Sequence, residues 1–236
     1  MNVAIIAAAG RGERMGGGTA KQFLEISGTP IIIHTLRRFD DCAAIAEVVA
    51  VVPEGAEGEL RALAGAHGVG KLGRVVAGGR TRAESVWNGL GAVDPSAEVV
   101  AVHDAVRPFV TPEEIGRVVS EAERHGAALL ARPAVDTIKE AEGGRVVRTL
   151  ERARLWHAQT PQCFRYGLLR RAYELALASG LDATDDSALV ERLGEPVRIV
   201  EGHARNIKIT TRQDFALAEV IVSGFEFRVS SSRPEL

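Results

Sequence analysis

Short apolar runs alternate with helix-like segments along most of the 236-residue chain, and this alternation limits the folds that the chain can adopt. The apolar runs are residues 3–8, 47–52, 73–77, 98–103, 127–132 and 196–200. The helix-like segments are residues 30–41, 56–66, 81–93, 111–125, 166–179 and 211–222. Runs this apolar are typical of strands that are buried on both faces. Strands that alternate with helices predict an α/β fold, in which helices cover a mostly parallel sheet.

One segment, residues 136–151 (DTIKEAEGGRVVRTLE), breaks this alternation. It predicts two short strands joined through Gly143 and Gly144, because paired glycines accept the positive φ of a tight hairpin turn. The segment mixes polar and apolar residues and has little to bury, and an isolated hairpin is marginally stable in water. Two interpretations stay open on these residues: a hairpin that lies on the edge of its own domain, or an arm that packs on a partner subunit.

Composition narrows the class of protein. With 46% hydrophobic and 25% charged residues, the chain predicts one main domain, residues 1–223, and a flexible tail, residues 224–236. The N-terminal apolar run is too short for a signal peptide, and no run approaches the roughly 18 residues of a membrane span. We therefore expect a cytoplasmic protein without a membrane partner. A net charge of −2 predicts no nucleic-acid partner, so an anionic ligand would need a local basic cluster.

The loop after the first apolar run provides such a cluster. The stretch AAAGRGERMGGGTAKQFL begins at Ala7 and combines a glycine-rich backbone with two arginines and a lysine. Of these, Arg14 and Lys21 are the cations that we expect to contact a phosphate. Met15 stands where a dinucleotide-binding loop needs its third glycine, which disfavours a Rossmann cofactor site. Backbone N–H groups that approach phosphate oxygens, with mobile positive charge beside them, predict a phosphate-binding loop instead.

Asp104 comes at the end of the fourth apolar run, where a parallel sheet places its ligand crevice. A carboxylate there suits Mg²⁺, which completes its coordination with phosphate oxygens and water. The alternative is a turn cap for the residues that follow. His103 is adjacent, but the six histidines show no metal-ligand spacing, and we interpret His103 as structural.

Seven motifs, taken together and in order, resemble the 2-C-methyl-D-erythritol 4-phosphate cytidylyltransferases, a family with the nucleotidyltransferase fold. They are AAAGRGERMGGGTAKQF, GGRTRAESVWNGL, VHDAVRPF, DTIK, LWHAQTPQCF, ATDDSALVE and EGHARNIKIT. The resemblance covers Asn2 to about Ile221. It implies an Mg²⁺-dependent enzyme of the non-mevalonate isoprenoid pathway, which transfers CMP from CTP to methylerythritol phosphate and releases pyrophosphate. The alternatives are a cytidylyltransferase for another polyol phosphate, such as ribitol 5-phosphate, and a regulator that binds nucleotide without catalysis.

The resemblance also implies roles for individual residues. The catalytic set is Arg14, Lys21, Asp104 and Lys208, with Asp104 also the metal ligand. The CTP-binding set is Ala8, Ala9, Gly10, Gly12, Gly79 and Ser85. The substrate-binding set is Arg107, Thr137, Arg152, Thr160 and Thr184. Ser85 could alternatively cap a helix, and Arg154 is a second candidate for the role given to Arg152. In the family, Thr137 and Arg152 come from the hairpin of the other subunit, which implies a homodimer with exchanged arms.

Overall fold

A seven-stranded sheet forms the centre of the computed structural model, which describes residues 1–10, 20–180 and 184–224. In chain order the strands are β1 (Val3–Ala7), β2 (Glu25–Ile26), β3 (Thr29–Pro30), β4 (Glu47–Val52), β5 (Leu72–Ala77), β6 (Val99–Asp104), β7 (Ala127–Pro133), β8 (Lys139–Glu142), β9 (Arg145–Thr149), β10 (Trp156–Arg165) and β11 (Arg198–Glu201). The helices are α1 (Ile31–Asp40), α2 (Glu57–Ala66), α3 (Arg82–Gly91), α4 (Pro112–His125), α5 (Tyr166–Ala178), α6 (Asp186–Glu191) and α7 (Arg212–Val222).

The strand order in the central sheet is β11-β7-β10-β6-β1-β4-β5. All neighbours are parallel except β10, which runs antiparallel to both β6 and β7. The predicted α/β fold with a mostly parallel sheet is therefore confirmed. Strand β10 was not predicted, because its residues WHAQTPQCFR lack the continuous apolar run of the other strands. The pairing of β10 with β7 is also irregular between Ala158 and Gln162.

Helices bury both faces of this sheet, because side chains along a strand point alternately to opposite faces. On β1, Ala4 and Ile6 contact the cluster formed with α1, α2 and α4, whereas Val3 and Ile5 contact the cluster formed with α3, α5 and α6. Helix α3 lies very close to the sheet at Gly89, where an added Cβ would stand 2.8 Å from Ile5 Cγ2. Glycine at this position permits the close approach of α3 to β1 and β4.

The predicted hairpin is present as β8 and β9. Gly143 and Gly144 form its turn with φ angles of 53° and 77°, in the region where glycine carries no steric penalty. Every residue of both strands is exposed, including the apolar Val146 at 63% and Val147 at 57%. Val146 and Val147 are adjacent on β9, so they leave apolar surface exposed on opposite faces of the hairpin.

No helix in the described part of the chain is long and apolar enough to cross a membrane.

Candidate active site

A cavity of about 700 Å³ opens where β1 and β6 end and α3 begins. It lies at the carboxyl ends of parallel strands, which is where open α/β sheets bind ligands. The cavity brings together eight residues of the predicted site: Ala8, Ala9, Gly10, Lys21, Gly79, Ser85, Asp104 and Lys208. These residues come from separate stretches of sequence.

Lys21 is held at the cavity by its neighbour in the chain. Lys21 begins a short 3₁₀ helix that ends at Phe23, and the buried Gln22 in this turn donates from Nε2 to the carbonyl oxygen of Ala8 at 2.5 Å. The contact joins the end of the glycine-rich loop to the end of β1. It fixes the backbone that carries Lys21, while the lysine side chain remains partly exposed on the cavity wall. Arg14 and Gly12, also predicted here, lie outside the described residues.

Residues 79–85 form a second wall of the cavity. The Ser85 hydroxyl accepts from the Gly79 N–H at 3.0 Å and donates to the Thr81 carbonyl oxygen at 2.8 Å. The N-cap of α3 is Thr81, whose hydroxyl accepts from the Glu84 N–H. Ser85 thus does not cap the helix but closes the loop that precedes it. An added Cβ at Gly79 would collide with the Cβ of Glu84, so this tight loop requires glycine.

Asp104 is the centre of a charge cluster on the cavity floor. Its Oδ2 lies 2.8 Å from Lys208 Nζ and 3.6 Å from Arg107 Nε, and its Oδ1 lies 3.5 Å from Arg82 Nε. Burial by itself would raise the pKa of the Asp104 carboxyl. Lys208, Arg82 and Arg107 outweigh burial and hold that pKa well below its ordinary value, so the carboxylate is ionised at neutral pH.

Thr160 and His103 are hydrogen-bonded to each other, and Thr160 holds the backbone of Asp104. Burial lowers the pKa of His103 to about 4, so its imidazole is neutral at pH 7. Nε2 lies 3.1 Å from the Arg107 carbonyl oxygen, which can only accept, and Nε2 must therefore carry the proton. Nδ1 then accepts from Thr160 Oγ1 at 2.9 Å, and the same hydroxyl accepts from the Asp104 N–H at 3.1 Å. The structural interpretation of His103 is confirmed.

The other predicted substrate residues do not line the described cavity. Thr160 is 4% exposed, with its hydroxyl committed to His103 and Asp104. Arg107 donates from Nη1 to the Asn206 carbonyl oxygen at 2.9 Å, which ties the Asp104 turn to the segment that carries Lys208. Thr137 and Arg152 are exposed, as is Thr184, and Arg152 donates to the Val135 carbonyl oxygen. Contacts of these five residues with substrate stay predictions.

Arg82 belongs to the site although its sequence context does not predict it. Arg82 lines the cavity, lies 3.5 Å from Asp104 and donates from Nη2 to Asp186 Oδ2 at 2.7 Å. Burial alone would lower the pKa of Arg82, but the two carboxylates outweigh it and raise that pKa. Arg82 lies within GGRTRAESVWNGL, one of the seven motifs that carry the family resemblance. Its partner Asp186 is 104 residues away, and no local pattern predicts such a pair.

The described part of the cavity offers a metal ion a single carboxylate. The described residues contain no cluster of three or more His, Cys, Asp or Glu side chains that could hold an ion, and Asp104 is the sole acidic side chain among the described cavity residues. Mg²⁺ typically binds through one or two carboxylates together with substrate phosphates and water. The donor set therefore fits Mg²⁺ that arrives with a polyphosphate, and it does not fit a metal held by the protein alone.

A cavity at the carboxyl edge of a mostly parallel α/β sheet, lined by Lys21, Lys208 and Asp104, is an arrangement suited to an enzyme that binds nucleotide phosphates, such as a nucleotidyltransferase. The family model described as 2-C-methyl-D-erythritol 4-phosphate cytidylyltransferase matches residues 2–224. The chain belongs to this family.

Curated relatives and solved structures agree with this assignment. A 2-C-methyl-D-erythritol 4-phosphate cytidylyltransferase of Pelotomaculum thermopropionicum is 44% identical over 231 residues, which is 97% of each chain. The enzyme of that name from Symbiobacterium thermophilum is 47% identical, over 92% of this chain and 91% of the relative. The enzyme of that name from Thermus thermophilus, whose crystal structure is known, is 39% identical in sequence. Its structure matches with a TM-score of 0.78, over 93% of this chain and 98% of the Thermus chain. The 4-diphosphocytidyl-2C-methyl-D-erythritol synthase of Anaerococcus prevotii is 33% identical with a TM-score of 0.84, over 94% and 96% of the two chains.

Proposed function

We propose that the protein transfers CMP from CTP to 2-C-methyl-D-erythritol 4-phosphate, which gives 4-diphosphocytidyl-2-C-methyl-D-erythritol and pyrophosphate for isoprenoid precursor synthesis. Family membership over residues 2–224 supports the reaction. The observation that carries the proposal in the structure is the convergence of Lys21, Lys208 and Asp104 on one cavity, from three distant parts of the chain.

The chemistry needs charge and position more than covalent catalysis. An oxygen of the acceptor phosphate forms a bond to the α-phosphorus of CTP, and the bond from that phosphorus to the bridging oxygen breaks. The electron pair leaves with pyrophosphate, so negative charge grows on the leaving oxygens. Lys21 and Arg14, both predicted to be catalytic residues, would compensate this charge on the triphosphate. Lys208 would lie beside the α-phosphate.

Asp104 would hold Mg²⁺ together with the nucleotide phosphates. When bound, the ion would neutralise part of the triphosphate charge and favour departure of pyrophosphate. Lys208, Arg82 and Arg107 keep the Asp104 carboxylate ionised and in place before the nucleotide arrives. The buried hydrogen bond with Thr160 fixes the backbone of Asp104, so little reorganisation is required on binding.

The acceptor side of the site would be completed by a second subunit. We propose a homodimer in which the hairpin, β8 and β9, crosses to the partner and presents Thr137 and Arg152 to its substrate. The full exposure of both strands supports this role, since the hairpin buries little in its own chain. A guanidinium suits the task because its planar fork binds a phosphate through two hydrogen bonds.

The unbridged cysteines Cys42 and Cys163 are consistent with a reducing, cytoplasmic setting.

Nucleotide choice tests the proposal. Backbone groups of Ala8, Ala9 and Gly79 at the cavity wall would pair with the pyrimidine edge, and a bound purine would cover those polar groups without pairing them. We expect kcat/KM for CTP to exceed that for ATP or GTP by at least about 100-fold. Pyrophosphate release with methylerythritol phosphate as acceptor measures this ratio for each nucleotide. Equal turnover of CTP and ATP would overturn the assignment of this cavity as a cytidine site.

A further inference from the structure

Behind the Asp104 cluster lies a second carboxylate, Asp186, which the proposed reaction does not use. It is the first residue of α6, is 0% exposed, and has two partners. Arg82 Nη2 donates to Oδ2 at 2.7 Å, and the Tyr173 hydroxyl donates to Oδ1. A carboxylate this deeply buried is unfavourable unless it is paired, and Arg82 is the only cation in ion-pair contact with it among the described residues.

Arg82 connects Asp186 to the cavity. Its guanidinium bridges two carboxylates, with Nη2 on Asp186 and Nε on Asp104 Oδ1. Asp104 Oδ2 is thereby left to Lys208 at 2.8 Å and to Arg107 at 3.6 Å. A long arginine side chain on a cavity wall has many rotamers, and a buried ionic anchor removes that freedom before substrate binds. Without the anchor, Asp104 would be the remaining described carboxylate in contact with Arg82, and Arg82 would compete with Lys208 for it.

Helix α6 is itself fixed to the sheet. The buried Gln162 on β10 donates to Asp185 Oδ2 at 2.8 Å and accepts from the Ser187 N–H at 2.9 Å. Asp185 caps the helix through the Ala188 N–H. These hydrogen bonds hold the start of α6 against β10, so Asp186 stands on a fixed part of the fold. On the other side, Tyr173 stacks against Trp87 of α3, with ring centroids 6.3 Å apart.

We propose that Asp186 is a positioning residue for CMP transfer, which acts through Arg82 to orient the carboxylate of Asp104. This inference rests on the proposed function. Asp186 does not touch the cavity, and its contribution is the geometry of a group that does. An outer partner that orients a site residue typically changes activity by about 10- to 100-fold when it is removed.

The central variant is Asp186→Asn, which keeps the side-chain volume and removes the charge. We expect kcat to fall about 10- to 100-fold while KM for CTP changes less than about threefold, because the anchor serves the transition state more than nucleotide binding. Tyr173→Phe is the matched control. It removes the other hydrogen bond to the same carboxylate and leaves the charge, so kcat should stay within about threefold of the wild-type value. Urea unfolding midpoints compare the loss of stability in the two variants.

A double variant tests whether Asp186 acts through Arg82. If it does, Arg82→Lys combined with Asp186→Asn should be no slower than the slower single variant. Multiplicative losses would mean that the two residues act independently and would overturn the proposal. So would equal losses of kcat in Asp186→Asn and Tyr173→Phe at equal unfolding midpoints, because a merely structural role predicts that result.

One readout needs no turnover. In ¹⁵N-arginine-labelled protein, the Nε–H signal of Arg82 is assigned by its absence in Arg82→Lys. We expect this signal to be protected from exchange in the wild type and to be lost or shifted in Asp186→Asn. An unchanged signal would contradict anchoring. If the wild type releases no pyrophosphate, the proposed function fails, and the spectrum alone then decides whether Asp186 holds Arg82.

Discussion

Lys21→Ala is expected to lower kcat for CMP transfer about 100- to 1,000-fold, which corresponds to roughly 3 to 4 kcal/mol of transition-state stabilisation. The reason is electrostatic: a cation placed where negative charge grows on the leaving pyrophosphate stabilises the transition state more than the bound nucleotide. Lys21 is partly exposed on the cavity wall, and its backbone position is fixed by Gln22, so we expect the Lys21→Ala variant to fold. Steady-state kinetics with varied CTP, together with a urea unfolding curve, measure both properties.

Arg61→Ala is a matched control, because Arg61 is an exposed cation on α2 that is not part of the cavity wall. This variant removes the same single positive charge and should keep kcat within about twofold of the wild-type value. An Lys21→Ala enzyme with normal kcat would move the triphosphate site to another part of the chain. A large drop in the unfolding midpoint would instead reveal a structural role for Lys21.

Mixing two inactive variants should restore activity if the arms are exchanged. Arg152→Ala disables the arm, and Lys21→Ala disables the catalytic loop. In a mixed dimer, the intact arm of one chain meets the intact loop of the other, so one of the two sites is complete. With random pairing about half the dimers are mixed, and the expected ceiling is roughly a quarter of wild-type activity. Co-expression with two different tags provides the mixed dimers, and purification through both tags proves the exchange. The purified sample then contains mixed dimers alone, so its expected ceiling is about half of wild-type activity.

Arg154→Ala separates the arm residue from its neighbour two positions later. Arg154 is exposed and lies in the same 3₁₀ turn as Arg152, so its loss removes an equal charge from the same segment. We expect Arg154→Ala to remain active by itself, within about threefold of the wild type. If dual-tagged dimers of Arg152→Ala and Lys21→Ala are no more active than the separate variants, both residues serve one chain's site and the exchanged-arm proposal fails.

The sequence predicts the sheet well because its buried strands carry the information locally. Strands such as β4, with the residues EVVAVV, are apolar on both faces, and this requires no knowledge of their neighbours. Strand β10 was missed because it mixes polar and apolar residues. Gln159, Thr160 and Gln162 are buried on this strand and hydrogen-bonded to partners far along the chain. Burial of that kind depends on the tertiary structure, so no periodicity in the segment reveals it.

The residues of the site also divide into those that the sequence predicts and those that only the folded structure brings together. Lys21 lies on the glycine-rich loop after β1 and Asp104 ends β6, so their positions at the carboxyl edge of the sheet could be predicted from order alone. Gly79 was assigned to the site only through the resemblance to a known family. Lys208 needed the resemblance to a known family, because its segment carries no local signal. Arg82 and Asp186 form a pair only in three dimensions. Individually, each is an ordinary charged residue at the start of a helix.

The identity of the product tests the central claim most directly. Purified protein is incubated with CTP and Mg²⁺ in three samples that contain methylerythritol phosphate, ribitol 5-phosphate or no acceptor, and the reactions are followed by ³¹P NMR. The account predicts equal amounts of pyrophosphate and of a product whose two coupled phosphorus signals mark a diphosphate bridge, formed with methylerythritol phosphate far faster than with ribitol 5-phosphate. Faster transfer to ribitol 5-phosphate, or no pyrophosphate release with either acceptor, would contradict it.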